Sequence, residues 1–252
     1  MNITPQRRRA WLLGAVGILL FLGLWQCIGM ERWAGLTWPP LSVILPYLLA
    51  PAHHRLFVRA SGASFLMIGL GYLAGLASGM ILAMVGHVVR PLRPGLDRLA
   101  GMIHAVPTIA LAPVFIALLS REWTGMAIAA LGTFYVIYVS ATSGLAAGTA
   151  AHRDMFTAFG SSRLTTLRRL DLPAAMPALA SGMKFAVPVA FVGAILGEWF
   201  GSSHGLGLLI VSAMQNFQIP LLWSTVLIIS AASLVVFGVM SLAETLVIER
   251  YR

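Results

Sequence analysis

The sequence predicts an all-α membrane protein with six transmembrane helices. Three observations carry this reading. Hydrophobic residues make up 59% of the 252-residue chain and charged residues only 10%, where a soluble domain carries about 25% charged residues. Apolar runs of about the 20 residues needed to cross a bilayer recur along the chain, separated by short polar stretches. The basic residues gather in alternate stretches, the pattern that sets orientation in a membrane. Residues 1–252 are therefore read as a single membrane domain with little outside the bilayer. The net charge of +9 does not signal nucleic acid, because the cations sit in short loops between spans.

Arg7, Arg8 and Arg9 precede an apolar run from Ala10 to about Met30. A basic start and a greasy middle also mark a signal peptide, but no small-x-small cleavage site follows. The run is read as the first span. Residues 31–60 are mixed; Trp33, Trp38 and Tyr47 suit an interface, and Leu41 to Leu49, with Pro46 inside, is too short to cross. It is expected to form a short interfacial helix on the outer side. The second span covers about Ser61 to Val85, where Gly71, Gly75 and Gly79 recur every fourth residue and let another helix approach closely. Residues 86–100, with Arg90, Arg93, Arg98, Pro91 and Pro94, read as an inside loop.

The third span, about Met102 to Leu119, is interrupted by Pro107 and Pro113. Prolines free backbone carbonyls, so the span is either kinked for packing or kinked beside a polar path. The fourth runs from about Gly125 to Ala147, and the fifth from about Leu179 to Phe200, with a second small-residue row at Gly182, Ala186, Ala190 and Ala194. Lys184, one turn inside, is expected to snorkel to the inner surface. A glycine-rich outer loop at 201–207 and an interfacial or partly inserted segment at 208–219 lead to the sixth span, about Pro220 to Ala243. In this arrangement only Arg32, Arg55, Arg59 and Arg121 of the 17 basic residues lie outside. The positive-inside rule then puts both termini in the cytoplasm.

The longest polar interruption, from Ala151 to Lys184, holds Arg153, Arg163, Arg168 and Arg169. Met155, Phe156 and Phe159 give a short apolar helical face, Gly160 breaks it, and Ser161 or Ser162 can cap the next helix. Leu164, Leu167 and Leu170 form a second stripe, which Leu172-Pro173 is expected to end, since a residue before proline avoids the α region. The prediction is a cytoplasmic helix–turn–helix between two spans.

Asp154, five residues, Gly160, nine residues, Leu170 and then Leu172-Pro173 resembles the EAA loop of ABC importer permeases. That family's pattern is Glu-Ala-Ala, three residues, Gly, nine residues, Ile, one residue, Leu-Pro. Asp154 stands here for Glu, and Met155-Phe156 for Ala-Ala. The likeness extends to Gly197-Glu198-Trp199-Phe200-Gly201 followed by Gly205-Leu206-Gly207, and to the basic tail. It is nearest to permeases of the nitrate, sulfonate and taurine type. The resemblance implies a type I importer permease fold in a bacterial inner membrane, multi-pass, working as a homodimer. It implies an ABC ATPase subunit below and an extracytoplasmic substrate-binding protein above. Residues 151–178 would be the coupling loop, with Asp154, Phe159, Gly160, Arg163, Leu170, Leu172 and Pro173 serving the ATPase contact.

The chain has no G-x-x-x-x-G-K-[ST] motif, so no cofactor is expected in it; ATP and Mg2+ would be bound by the partner. It is not read as an enzyme. Cys27 is the single cysteine, which excludes an internal disulfide and a cysteine-based metal site. Two rival readings each demand a chemistry of their own. An intramembrane enzyme needs clustered ionisable groups at depth, and the six histidines form no H-x-x-x-H or H-E-x-x-H pattern. A stand-alone secondary transporter needs a carboxylate near the midplane, and counting along the spans puts none of the eight acidic residues there. Glu198, near the outer end of the fifth span, is a candidate for the outer gate or pathway, for pairing with a cation, or for facing headgroup water.

Overall fold

The computed structural model describes residues 5–200 and 202–251, with side chains for all of these but 5–8, 10 and 11. Gly201, Arg252 and the side chains of Arg7 and Arg8 thus lie outside the described residues. The described chain is helical, and it forms two compact units: Met1–Val58 with Leu209–Leu227, and Arg59–Leu208 with Ile228–Arg252. In order the helices are α1 (Pro5–Met30), α2 (Leu41–Leu49), α3 (Pro51–Val88), α4 (Arg93–Ala105), α5 (Thr108–Leu118) and α6 (Thr124–Leu145). Then follow α7 (Ala150–Ala158), α8 (Arg163–Thr166), a π-helical turn Leu167–Asp171, α9 (Leu172–Glu198), α10 (Leu206–Gln215) and α11 (Ile219–Tyr251).

Among the described residues five helices can cross a membrane by length and composition, and the α4–α5 pair makes a sixth when counted as one broken span. The expected third span is therefore not one kinked helix. Its two halves meet at 93°. Val106 takes an extended conformation (φ −74°, ψ 122°) before Pro107, as a residue preceding proline prefers, and α5 starts afresh at Thr108. The expected inside loop 86–100 is also helical for much of its length. α3 runs to Val88, and Pro91 and Pro94 occupy the first turns of a 3-10 turn and of α4, where proline costs no hydrogen bond. α3 is 38 residues, about 57 Å, well beyond a hydrocarbon core of about 30 Å.

The first unit is knit by indoles. Trp25, Trp38 and Trp223 lie with ring centroids 4.8 to 4.9 Å apart, in tilted and edge-on arrangements. Trp25 donates to the Pro39 carbonyl (3.1 Å) and Trp223 to that of Thr37 (2.8 Å). Gln26 and Ser42 exchange two hydrogen bonds and seat α2 on α1.

The second unit is built on α6. The α3 glycine row meets its backbone: a Cβ on Gly75 would lie 2.5 Å from the Ala130 carbonyl oxygen, and one on Gly79 2.6 Å from that of Phe134. α9 approaches as closely from another side, with Gly193 against the Ala129 backbone and Gly197 against that of Gly125. Ala186, Ala190 and Ala194 of the predicted row are fully buried. Such interfaces rest on packing and on polar contacts in a bilayer, where apolar burial gives little. Tyr72 donates to the Met183 carbonyl (2.9 Å) and Tyr138 to Asp97 (2.6 Å).

Candidate functional site

The 151–178 segment begins at Thr149, whose hydroxyl accepts from the His152 N–H and caps α7. Met155 and Phe159, two of the three apolar residues expected to share a face, are exposed, and Phe156 is half-buried. α7 ends in a Schellman motif. The Ser161 N–H returns to the Phe156 carbonyl and the Gly160 N–H to that of Thr157, both at 2.9 Å. Gly160 adopts φ +65°, the left-handed conformation that glycine alone takes without strain. Phe159, immediately before it, is 82% exposed. Ser162 rather than Ser161 caps α8, its hydroxyl accepting from the Thr165 N–H (3.2 Å). Asp154 and Arg163 are exposed at the surface, whereas Leu170, Leu172 and Pro173 are half-buried.

One expectation is overturned. Leu172-Pro173 does not end the second helix: Leu172 is helical (φ −64°, ψ −49°) and the helix runs on through Pro173 into α9. The turn that leads into it is a π turn. Leu172 N–H bonds to the Leu167 carbonyl, five residues back, which widens the turn. The Pro173 ring would otherwise meet the carbonyl four residues before it, that of Arg169, which lies inside the widened segment.

That turn also buries Asp171 to 5% exposure. Its carboxylate accepts from His87 Nε2 (2.8 Å) at the end of α3 and from Arg153 Nη2 (3.2 Å) on α7. Arg153 Nη2 also donates to the Leu145 carbonyl (3.0 Å) at the end of α6. Asp171 and Arg153 together thus tie the segment to the ends of α3 and α6. Arg153 and His87 are visible in the sequence as charged and titratable groups near span ends, but the Asp171 link to His87 joins residues 84 positions apart and leaves no local signal.

Glu198 closes α9. It is 2% exposed, so it neither faces headgroup water nor pairs with a cation among the described residues. Glycines at 205 and 207 let the chain fold directly over the carboxylate. Oε2 accepts from Ser64 Oγ (2.9 Å) and from the Gly207 N–H (2.7 Å), while Oε1 has no partner among the described residues. The Leu206 N–H donates in turn to Ser64 Oγ (2.7 Å). Glu198 and Ser64 therefore satisfy two of the free N–H groups at the start of α10, those of Gly207 and Leu206.

Lys184 does not snorkel free to the inner surface but is held in an ion pair. Its Nζ lies 2.5 Å from Glu244 Oε2, Ser181 supports the other oxygen, and Phe185 and Phe237 cover the ammonium. His104 is stacked on Tyr135 and His53 on Tyr47. Among the described residues no three His, Cys, Asp or Glu side chains are grouped to hold a metal. Beside the break between α4 and α5, a cavity of about 270 Å3 is lined by Thr108, Ile128, Gly132, Pro188, Val189 and Gly193 among others.

Residues 75–252 match the family described as binding-protein-dependent transport system inner membrane component. A Haemophilus influenzae protein named as a probable ABC transporter permease protein is 32% identical over 227 residues, covering 88% of this chain and 90% of its own length. The formylaminopyrimidine transport permease protein ThiX of Halalkalibacterium halodurans is 26% identical over 194 residues, covering 77% and 78%. Permeases named for sulfonates, taurine and nitrate also match, in keeping with the resemblance of the EAA-like loop. In structure the chain is similar to the inward-facing MetNI methionine ABC transporter, with a TM-score of 0.68 at 14% identity, over 81% of this chain and 100% of the other. That likeness is one of fold, a type I importer permease. The chain belongs to the binding-protein-dependent inner membrane components, the permeases of ABC importers.

Proposed function

We propose that this chain is the transmembrane subunit through which an ATP-driven importer moves a small solute into the cytoplasm, and that residues 151–178 receive the ATPase subunit. The observation that carries the docking assignment is the end of α7. A phenylalanine 82% exposed stands on a turn held by two backbone hydrogen bonds, beside a glycine in the left-handed region. No described part of the chain covers it. An apolar knob on a rigid support fits a groove on a partner. Asp154 and Arg163 flank it, and Leu170, Leu172 and Pro173 carry the contact into α9. ATP and Mg2+ belong to that partner.

The proposal extends to a second copy of this chain, to an extracytoplasmic binding protein that delivers the solute, and to both termini in the cytoplasm. The solute is a sulfonate-, nitrate- or taurine-like anion or a related small organic molecule, a range spanned by the names of the relatives. The cavity beside the α4–α5 break contains no charged side chain, which leaves recognition largely to the binding protein. Glu198, by holding the first residues of α10, is assigned to the outer gate.

Gly160→Trp tests the docking assignment. Reconstituted with its ATPase and binding protein, the variant is expected to keep its helical content but lose at least tenfold in both solute uptake and stimulated ATP hydrolysis. Wild-type uptake and hydrolysis in this variant would overturn the assignment.

A further inference from the structure

At the end of α3 a cavity of about 530 Å3 opens toward α7 and α8. Arg90, Arg153 and Arg163 contribute to its wall, with hydroxyls from Thr157, Ser161 and Thr166 between them. Its one acid, Asp171, is already held by His87 and Arg153. No carboxylate among the described residues pairs with Arg90 or Arg163. Arg90 and Arg163 therefore offer guanidinium forks and Ser161 a hydroxyl, while Thr157 and Thr166 already donate to the Arg153 and Ser162 carbonyls; the two guanidinium groups fit a tetrahedral oxyanion. The space is far larger than one phosphate ion, so the oxyanion can carry a substituent. Val88, Leu164 and Leu167 line the same cavity. The apolar run of α3 ends at Val88 and Arg90 follows two residues later, the change from apolar to basic residues that marks the end of a span. Basic pockets between helices at a membrane surface hold anionic headgroups.

We infer that this cavity binds a phosphate group, carried by an anionic phospholipid headgroup or present as free phosphate; the apolar part of the wall favours the lipid. The inference does not rest on ATPase docking. It makes the lipid beside the 151–178 segment a ligand of the segment itself, since Arg153, Thr157 and Arg163 belong to α7 and α8.

The test uses the full chain in mild detergent. Native mass spectrometry compares retention of phosphatidylglycerol with phosphatidylcholine, and calorimetry measures inorganic phosphate binding in phosphatidylcholine micelles. The wild type is expected to retain phosphatidylglycerol preferentially. Arg90→Gln should lower that preference about fivefold, and Arg90→Gln with Arg163→Gln by about 25-fold, with Arg90→Lys keeping most of it. Helical content and melting temperature, measured alongside, separate loss of the site from loss of the fold. Phosphate binding that depends on Arg90, without lipid preference, would identify free phosphate as the source. Equal retention of the two lipids with no phosphate binding, or preferences unmoved by the substitutions, would overturn the inference. So would substitutions that release a co-purified ATPase while no anion binding is found, because the cavity would then be a protein contact.

Discussion

Glu198 concentrates the chemistry of the C-terminal end of α9 in one carboxylate. Two donors converge on Oε2, and both are buried groups that would be left without an acceptor by truncation. An unsatisfied buried donor costs about 1–3 kcal/mol. Glu198→Ala is therefore expected to destabilise the chain by about 2 kcal/mol or more, read as a lower melting temperature in detergent. Glu198→Gln keeps an acceptor oxygen in place and should lose less. If the two variants melt alike, the hydrogen bonds to Oε2 do not hold the start of α10. The acid itself is legible in the sequence as a lone carboxylate near a span end. Its burial is not, because Ser64 lies 134 residues away and the glycines that cover it look like an ordinary loop.

At the scale of elements, spacing of small residues is the feature the sequence transmits best. Gly71, Gly75 and Gly79 are met by α6 backbone atoms, as a row of that period requires. Gly69, on the same helix, has nothing within 4 Å of where its Cβ would be. Gly75→Leu is expected to cost about 3 kcal/mol and to lower the yield of folded protein, while Gly69→Leu leaves both near the wild type. Equal tolerance of the two substitutions would show that α3 does not pack on α6 through this row. Prolines are read less well. The same expectation, that a residue before proline leaves the α region, holds at Val106 and fails at Leu172. At Pro107 the chain turns extended at Val106 and the span breaks. At Pro173 a π turn shifts the hydrogen bonding by one residue and the helix continues. Whether a π turn forms depends on what it buries, here Asp171 against His87 and Arg153, and that is a tertiary fact.

At the scale of the whole molecule, composition and the alternation of apolar runs and basic stretches suffice for the class of fold, and the spacing from Asp154 to Pro173 suffices for the family. Helix ends are less legible. α3 starts at Pro51 and α11 continues to Tyr251. Polar residues at those ends look like loop in a hydropathy reading, although a helix can carry them beyond the bilayer. The central claim is that an ATPase docks on the exposed end of α7. The most direct measurement is co-purification of the tagged chain from its native membrane in mild detergent, comparing wild type with Phe159→Glu and Gly160→Trp, and identifying bound chains by mass spectrometry. A stoichiometric P-loop ATPase is expected with the wild type, and its loss, by tenfold or more, from both variants at unchanged helical content. A chain that purifies without any ATPase under several gentle conditions, or variants that retain it in full, would contradict docking on the end of α7.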